Sequence, residues 1–132
     1  MHFANSARDG YRILIVDDAS SVRESLRWLL EDELGLTVVG DASTGEEAIT
    51  MAVSLKPDLI ILDIELPDMD GFTVTRHLKS QPDPSFVILL SMHNDMFYRK
   101  HGRDAGCDAY VGKEMGWNGL LSVLRKVLSD KE

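Results

Sequence analysis

The sequence predicts an α/β fold in which a doubly wound, five-stranded parallel sheet is covered by five helices. Short apolar runs rich in β-branched residues alternate along the chain with segments of helical periodicity. These runs lack polar alternation, which is typical of strands buried on both faces of a parallel sheet. The chain has 132 residues, 44% of them hydrophobic, which suits one domain with a core of its own.

The first strand and first helix are marked by a change of periodicity. Arg12–Val16 is an apolar strand that ends at Asp17 and Asp18. From Ser20 onward apolar residues recur at helical spacing, and Gly35 provides a C-terminal stop for this helix.

The next unit repeats the strand and helix pattern. Residues 36–40 form the second strand, and Thr44 with Glu47 three residues later predicts a capping box that begins the second helix. Pro57 ends that helix, and Leu59–Asp63 is the third strand, buried on both faces.

The second half of the chain completes the pattern. Residues 71–80 form a third helix, Phe86–Ser91 the fourth strand, residues 95–103 a short fourth helix and residues 108–112 the fifth strand. The last helix is predicted by one apolar stripe, made of Trp117, Leu120, Leu121, Leu124, Val127 and Leu128.

Right-handed crossovers favour the strand order 2-1-3-4-5, in which ligands bind where the carboxyl ends of strands one and three meet. Asp17, Asp18, Asp63, Ser91 and Lys113 all fall at this edge. Neighbouring strands lie about 4.8 Å apart, so the three carboxylates must crowd together. A hard divalent cation relieves their repulsion, and Mg²⁺ suits a site with few carboxylates and several waters. Mn²⁺ is the alternative ion.

Ser91 and Lys113 indicate a second property of this edge. A metal ion, a hydroxyl and an ammonium group around Asp63 suit a phosphoryl group attached to its carboxylate. Asp63 is then a nucleophile. A single acid at a strand end is more often a solvated turn residue, and Asp68 is interpreted that way. The joint pattern favours chemistry at Asp63.

Composition excludes several classes of function. The net charge of −8 argues against direct contact with nucleic acid, and no apolar run is long enough to cross a membrane. The N-terminus lacks a secretory signal, which favours the cytoplasm, and the single Cys107 forms no intrachain disulfide. We expect a flexible leader over residues 1–10, a domain over residues 11–129 and a tail or linker from residue 130 to 132.

The combined motif resembles the receiver domain of two-component response regulators, which has the flavodoxin-like fold. It consists of Asp17-Asp18, the run from Asp63 to Gly71 in the form D-x-x-x-P-x-x-D-G, and then Ser91, Tyr110 and Lys113. The resemblance covers the chain from about residue 11 to residue 128.

The resemblance implies roles for individual residues. Asp63 matches the phosphoacceptor, and Asp17 and Asp18 match the acidic pair that binds Mg²⁺ together with Asp63 and the backbone carbonyl of Glu65. Ser91 and Tyr110 match the switch residues.

Further roles follow from the same resemblance. Lys113 matches the lysine that pairs with the phosphoryl group, while Met92, His93 and Glu65 occupy positions that affect access of water to that group. The chain would catalyse only its own phosphorylation and dephosphorylation.

Partners are implied as well. The phosphoryl group would come from a sensor histidine kinase or phosphotransfer protein, and later be lost to water. Phosphorylation would change contacts at the face formed by the fourth helix, fifth strand and fifth helix. Met96, Phe97 and Tyr98 lie near this face, and a homodimer can form through it.

One departure from the commonest receivers concerns Lys113. Glu114 follows it, where many receivers have a proline with a cis bond, so we expect a trans bond here. This resembles the branch typified by nitrate-response and quorum-sensing regulators, whose output is transcription through a helix-turn-helix domain, which this chain does not contain.

Two alternatives belong to other classes. A haloacid-dehalogenase-like phosphotransferase would carry an aspartate two residues after its nucleophile, where Glu65 stands, and a cap domain. A pseudo-receiver, which keeps the fold as a binding module, would lack Asp63, Lys113 or the acidic pair, all of which are present.

Overall fold

The computed structural model describes residues 11–93 and 95–131, so the predicted leader over residues 1–10 lies outside the described part. The strands are β1 (Arg12–Val16), β2 (Thr37–Ala42), β3 (Leu59–Asp63), β4 (Phe86–Ser91) and β5 (Ala109–Gly112). The helices are α1 (Ser20–Arg27), α2 (Gly45–Leu55), α3 (Gly71–Lys79), α4 (Met96–Ala105) and α5 (Asn118–Lys131). A π-helical turn (Trp28–Glu33) extends α1, and a 3₁₀ turn (Lys113–Met115) precedes α5.

All neighbouring strands are parallel and follow the order β2-β1-β3-β4-β5, which confirms the predicted α/β architecture. Successive side chains of each central strand point to opposite faces. In β1, Ile13 and Ile15 pack with residues of α1 and α5, whereas Leu14 and Val16 pack with residues of α2, α3 and α4. The sheet is thus buried on both sides, as the uninterrupted apolar runs predict.

The strand register aligns the ends of the central strands. Val16 pairs with Leu62, and Asp63 pairs with Leu90. The residue after Leu90, Ser91, is the last of β4 and is itself buried. Polar residues that end these strands therefore share one edge of the sheet, which is where the functional residues were expected.

The end of α1 differs from a regular helix. Its last turns widen into the π-helix, which buries both Leu29 and Leu30 while leaving the Trp28 side chain 55% exposed. Gly35 follows with φ +68°, a left-handed conformation that glycine adopts without strain. The predicted stop at Gly35 is therefore confirmed, and the π-helical turn is a feature that the leucine spacing did not predict.

Element boundaries shift by a few residues from those predicted. The second strand is displaced to Thr37–Ala42, and α4 continues to Ala105 before Gly106 closes it at φ +102°. α5 extends to Lys131, two residues into the segment predicted as a tail. No described peptide bond is cis, so the bond after Lys113 is trans as expected.

Asp68 is not merely solvated, which corrects the interpretation made from sequence. Its Oδ1 accepts a hydrogen bond from the backbone N–H of Gly45 at 2.7 Å, and its Oδ2 accepts one from Glu46 at 2.9 Å. The next backbone N–H of α2, that of Glu47, donates to the Thr44 hydroxyl at 3.1 Å. Asp68 thus caps α2 from the loop after β3, and these amides lower the pKa of its carboxyl group.

We predict that Asp68→Ala lowers the thermal unfolding midpoint by a few degrees, because two amides of α2 lose their acceptor. Thermal unfolding followed by circular dichroism measures this. Asp104→Ala is the matched control, since Asp104 is also exposed and its described ion pair, with Lys100 at 2.8 Å, lies within its own helix. An equal decrease in both variants would show that the cap contributes nothing.

Candidate functional site

Three carboxylates meet at the predicted edge of the sheet. Asp17 and Asp18 follow β1, Asp63 ends β3, and an oxygen of each lies within 4.8 Å of the others. Asp17 and Asp63 are buried, whereas Asp18 is exposed. The cluster is therefore a pocket with two acids at its base and one at its mouth.

Lys113 supplies a positive charge from the end of β5. Its Nζ lies 3.1 Å from Asp17 Oδ2 and 3.5 Å from Asp63 Oδ2. The lysine side chain is only 17% exposed, so both contacts are shielded from solvent. One ammonium group faces three carboxylates, which leaves the described pocket with excess negative charge.

The environment of Asp63 disfavours its charged form. Burial, opposed by Lys113 and assisted by the charge of Asp17, raises the pKa of the Asp63 carboxyl group from 3.8 to about 6. The backbone N–H of Glu65 donates to Asp63 Oδ1 at 3.3 Å and also favours the anion. Positive charge bound beside Asp63 would lower this pKa and so favour the ionised form further.

The donor set fits a hard divalent cation. Asp17, Asp18 and Asp63 offer carboxylate oxygens, the ligands that Mg²⁺ prefers, and their exposed side at Asp18 leaves room for waters. The structure thus brings together the three carboxylates of the predicted metal site. A metal contact from the Glu65 carbonyl stays a prediction, while the Glu65 side chain turns to His93, with Oε2 and Nε2 at 3.2 Å.

Ser91 and Tyr110 are linked through His93. The backbone N–H of His93 donates to the Ser91 hydroxyl at 2.8 Å, and the Tyr110 hydroxyl donates to the His93 carbonyl. The His93 ring stacks on Tyr98 of α4, with ring centroids 4.3 Å apart. Arg99 of α4 lies over the Tyr110 ring at 5.2 Å. The two predicted switch residues therefore share one loop residue, an arrangement the sequence did not predict.

Gly71 packs directly against the backbone of Asp63. A Cβ at this position would lie 2.7 Å from Ile64 Cα and 2.8 Å from the Asp63 carbonyl oxygen. The Gly71 N–H also donates to the Ile64 carbonyl at 2.7 Å. Gly71 is thus required for close approach of α3 to the strand end, a reason for glycine that the sequence motif alone does not reveal.

Comparison with known proteins identifies the family. Residues 13–125 match the family model described as "Response regulator receiver domain". The chain belongs to this family, whose members accept phosphoryl groups from histidine kinases in two-component signalling.

Relatives agree with this assignment. The chain is 34% identical over 119 residues to the response regulator GacA of Pseudomonas aeruginosa, covering 89% of this chain and 55% of that protein. It is 40% identical over 117 residues to the response regulator MprA of Mycobacterium ulcerans, covering 89% of this chain and 50% of that protein. The chain therefore spans about half the length of these relatives.

A solved structure shows the same fold. It is a two-component response regulator of the LuxR family from Aurantimonas sp. SI85-9A1, 29% identical, with a TM-score of 0.83, and the match covers 90% of this chain and 85% of that one. Membership in the receiver family removes the haloacid-dehalogenase-like alternative. Among the described helices none is both long and apolar enough to span a membrane.

We predict that Asp63→Asn stabilises the metal-free protein increasingly as pH rises. A carboxyl group with a raised native pKa favours folding below its unfolded pKa of 3.8, and this advantage is lost as pH rises through about 6. The unfolding free energy of the variant should therefore exceed that of wild type by about 2–3 kcal/mol at neutral pH and converge with it in acid. Urea unfolding with a chelator, from about pH 4 to about pH 7.5, measures the difference. A pH-independent difference would contradict the raised pKa.

We predict that Gly71→Ala destabilises the fold by about 1–3 kcal/mol, because the new methyl group meets backbone atoms that cannot move aside without displacing Asp63. Gly119→Ala is the control, since a Cβ there has only Val111 Cγ1 within 4 Å, at 3.1 Å, and a side-chain atom yields more easily than backbone. Denaturant unfolding of both variants measures the effect. Similar stability for both would show that the contact with Ile64 is relaxed at little cost.

Proposed function

We propose that this chain is the phosphoacceptor domain of a response regulator that receives a phosphoryl group on Asp63 in a Mg²⁺-dependent reaction. The donor is a phosphohistidine of a sensor histidine kinase or of a phosphotransfer protein. The single observation that carries the proposal is the convergence of Asp17, Asp18 and Lys113 on a buried Asp63. Family membership supports the same role.

The proposed transfer is a displacement at phosphorus. An Asp63 carboxylate oxygen attacks, the P–N bond to the donor imidazole breaks, and the released ring nitrogen keeps the bonding electrons. Asp17, Asp18 and Asp63 would hold Mg²⁺, which would supply positive charge that neutralises the phosphoryl oxygens and favours the ionised form of Asp63. The product is an acyl phosphate on Asp63.

Lys113 and Ser91 are the proposed partners of the transferred group. Lys113 exchanges its contacts with the two buried carboxylates for a phosphoryl oxygen, and the Ser91 hydroxyl turns to donate to another. Hydrolysis by an in-line water then breaks the P–O bond to Asp63, which releases inorganic phosphate and regenerates the carboxylate. The chain is in this sense a signalling domain that acts only on itself.

The proposed switch begins at Ser91. When its hydroxyl turns to the phosphoryl group, it gives up the hydrogen bond from the His93 N–H, and the loop that holds the Tyr110 hydroxyl rearranges. This changes the face formed by α4, β5 and α5. Met96 and Phe97 of α4 are 85% and 67% exposed there, which supports a contact surface for a partner or a second copy.

The proposed output is transcription, through a helix-turn-helix domain. Two relatives of this chain are about twice as long as the chain, and one similar solved structure belongs to the LuxR family. The net charge of −8 supports leaving DNA contact to another domain. A cytoplasmic location is proposed because the phosphoryl donor is a kinase.

The proposed function predicts that wild-type protein gains the mass of one phosphoryl group when incubated with acetyl phosphate and Mg²⁺, and that chelation of the metal abolishes the gain. Intact-mass spectrometry measures this directly. Asp63→Asn is the control and should gain none. Beryllofluoride with Mg²⁺ should shift the resonances of Ser91 and Tyr110 in wild type alone. Absence of both responses in wild type would identify a pseudo-receiver and end the proposal.

A further inference from the structure

Arg23 of α1 contacts the backbone beside the acidic cluster. Its Nη1 donates to the carbonyl oxygen of Asp17 at 2.7 Å. The N–H of Asp17 is bonded to Ala42 of β2 at 3.0 Å, and its Oδ1 accepts from the N–H of Ala19 at 3.0 Å. Arg23 therefore acts just where the chain leaves the sheet and turns into α1.

The guanidinium is itself oriented by a carboxylate on the neighbouring strand. Arg23 Nε lies 3.7 Å from Asp41 Oδ1, and Arg27 Nη2 lies 2.9 Å from the other oxygen of Asp41. The Arg23 side chain is only 21% exposed, compared with 40% for Arg27. Arg23 and Arg27 thus share one partner, yet only Arg23 has a described contact with Asp17.

We propose that Arg23 is a positioning residue for the metal-binding carboxylates of Asp17 and Asp18. It holds the main chain between them through the Asp17 carbonyl oxygen, so this restraint itself occupies no carboxylate oxygen of either residue. This inference rests on the proposed function of the site, in which these residues bind Mg²⁺.

The chemistry of the ion explains why such an anchor matters. Mg²⁺ requires near-ideal octahedral geometry, so a small displacement of a ligand weakens binding. Asp18 lies at the exposed mouth of the pocket, and no described hydrogen bond or ion pair orients its carboxylate. The orientation of Asp18 therefore depends on the backbone of this turn, which Arg23 contacts.

The direction in which removal of Arg23 changes the affinity for Mg²⁺ distinguishes a positioning role from simple charge repulsion. A cation close to the site would repel Mg²⁺, so removal of Arg23 would tighten metal binding if electrostatic repulsion were its main effect. Positioning predicts the opposite. Removal of a group that orients a metal ligand typically weakens affinity by about 10- to 100-fold.

The test compares Arg23→Met with Arg27→Met in the whole chain. Both substitutions keep an aliphatic stem and remove one partner of Asp41, but only the first removes the contact with Asp17. Titration with Mg²⁺ followed by the amide resonances of Asp17 and Ala19 gives the dissociation constant. We expect an increase of about tenfold for Arg23→Met and no change for Arg27→Met. Arg23→Lys should recover part of the affinity, because one ammonium N–H can still reach a carbonyl.

A second readout distinguishes positioning from a general fold defect. The rate of phosphorylation by acetyl phosphate should fall in Arg23→Met at low Mg²⁺ and return to the wild-type rate at saturating Mg²⁺. A deficit that persists at saturation, or equal Mg²⁺ affinity in both methionine variants and wild type, would overturn the inference while leaving the proposed function intact. Failure of wild type to bind Mg²⁺ or gain a phosphoryl group would overturn both. If Arg23→Met does not fold, the same titration of Arg23→Lys against Arg27→Lys decides.

Discussion

The fold forces Asp17, Asp18 and Asp63 together, and their mutual repulsion is the constraint on which the rest of the site depends. Two like charges 4 Å apart repel by about 4 kcal/mol at an effective dielectric constant of about 20. Lys113 lowers the pKa of Asp63 by more than the charge of Asp17 raises it, but burial, the largest cause, still leaves this pKa raised to about 6. The unmodified pocket is therefore built to gain positive charge, which explains how binding of a cation can be coupled to chemistry at Asp63.

The apolar layers on either side of the sheet keep this repulsion from opening the pocket. The central strands β1, β3 and β4 are almost wholly buried, so their ends cannot separate without exposing core residues. Gly71 adds a second restraint by allowing α3 to rest on the backbone after Asp63. Asp68, four residues after Ile64, ties the same loop to α2. The packing of the core and these two loop contacts thus hold the charged groups in a fixed geometry.

Much of this could be read from the sequence because it depends on periodicity and chain direction. The apolar runs that became β1, β3 and β4 have lengths and polar ends that admit few other structures, and parallel pairing then places Asp63 and Lys113 at one edge. The site carboxylates follow from topology alone. The width of the last turns of α1 does not, since the spacing of Leu29 and Leu30 fits more than one helical geometry.

Contacts between segments that are distant in the chain could not be predicted from the sequence either. The roles of Asp68 as a cap for α2 and of Arg23 beside Asp17 depend on where loops meet in space, and neither residue stands in a local pattern that reveals it. A serine, aspartate or threonine just before a helix announces a cap, as Thr44 does, but an acceptor that arrives from 22 or 23 residues away does not. Such contacts are recognised only in the folded structure.

The loop residue His93 divides its contacts between backbone and side chain in a way that bears on how this protein can evolve. Its N–H and carbonyl serve Ser91 and Tyr110, whereas its imidazole serves Glu65 and Tyr98. Any amino acid other than proline supplies the same backbone groups. Mutation at this position can therefore alter the surroundings of the pocket and its tie to α4 while the link between the two switch residues is inherited unchanged.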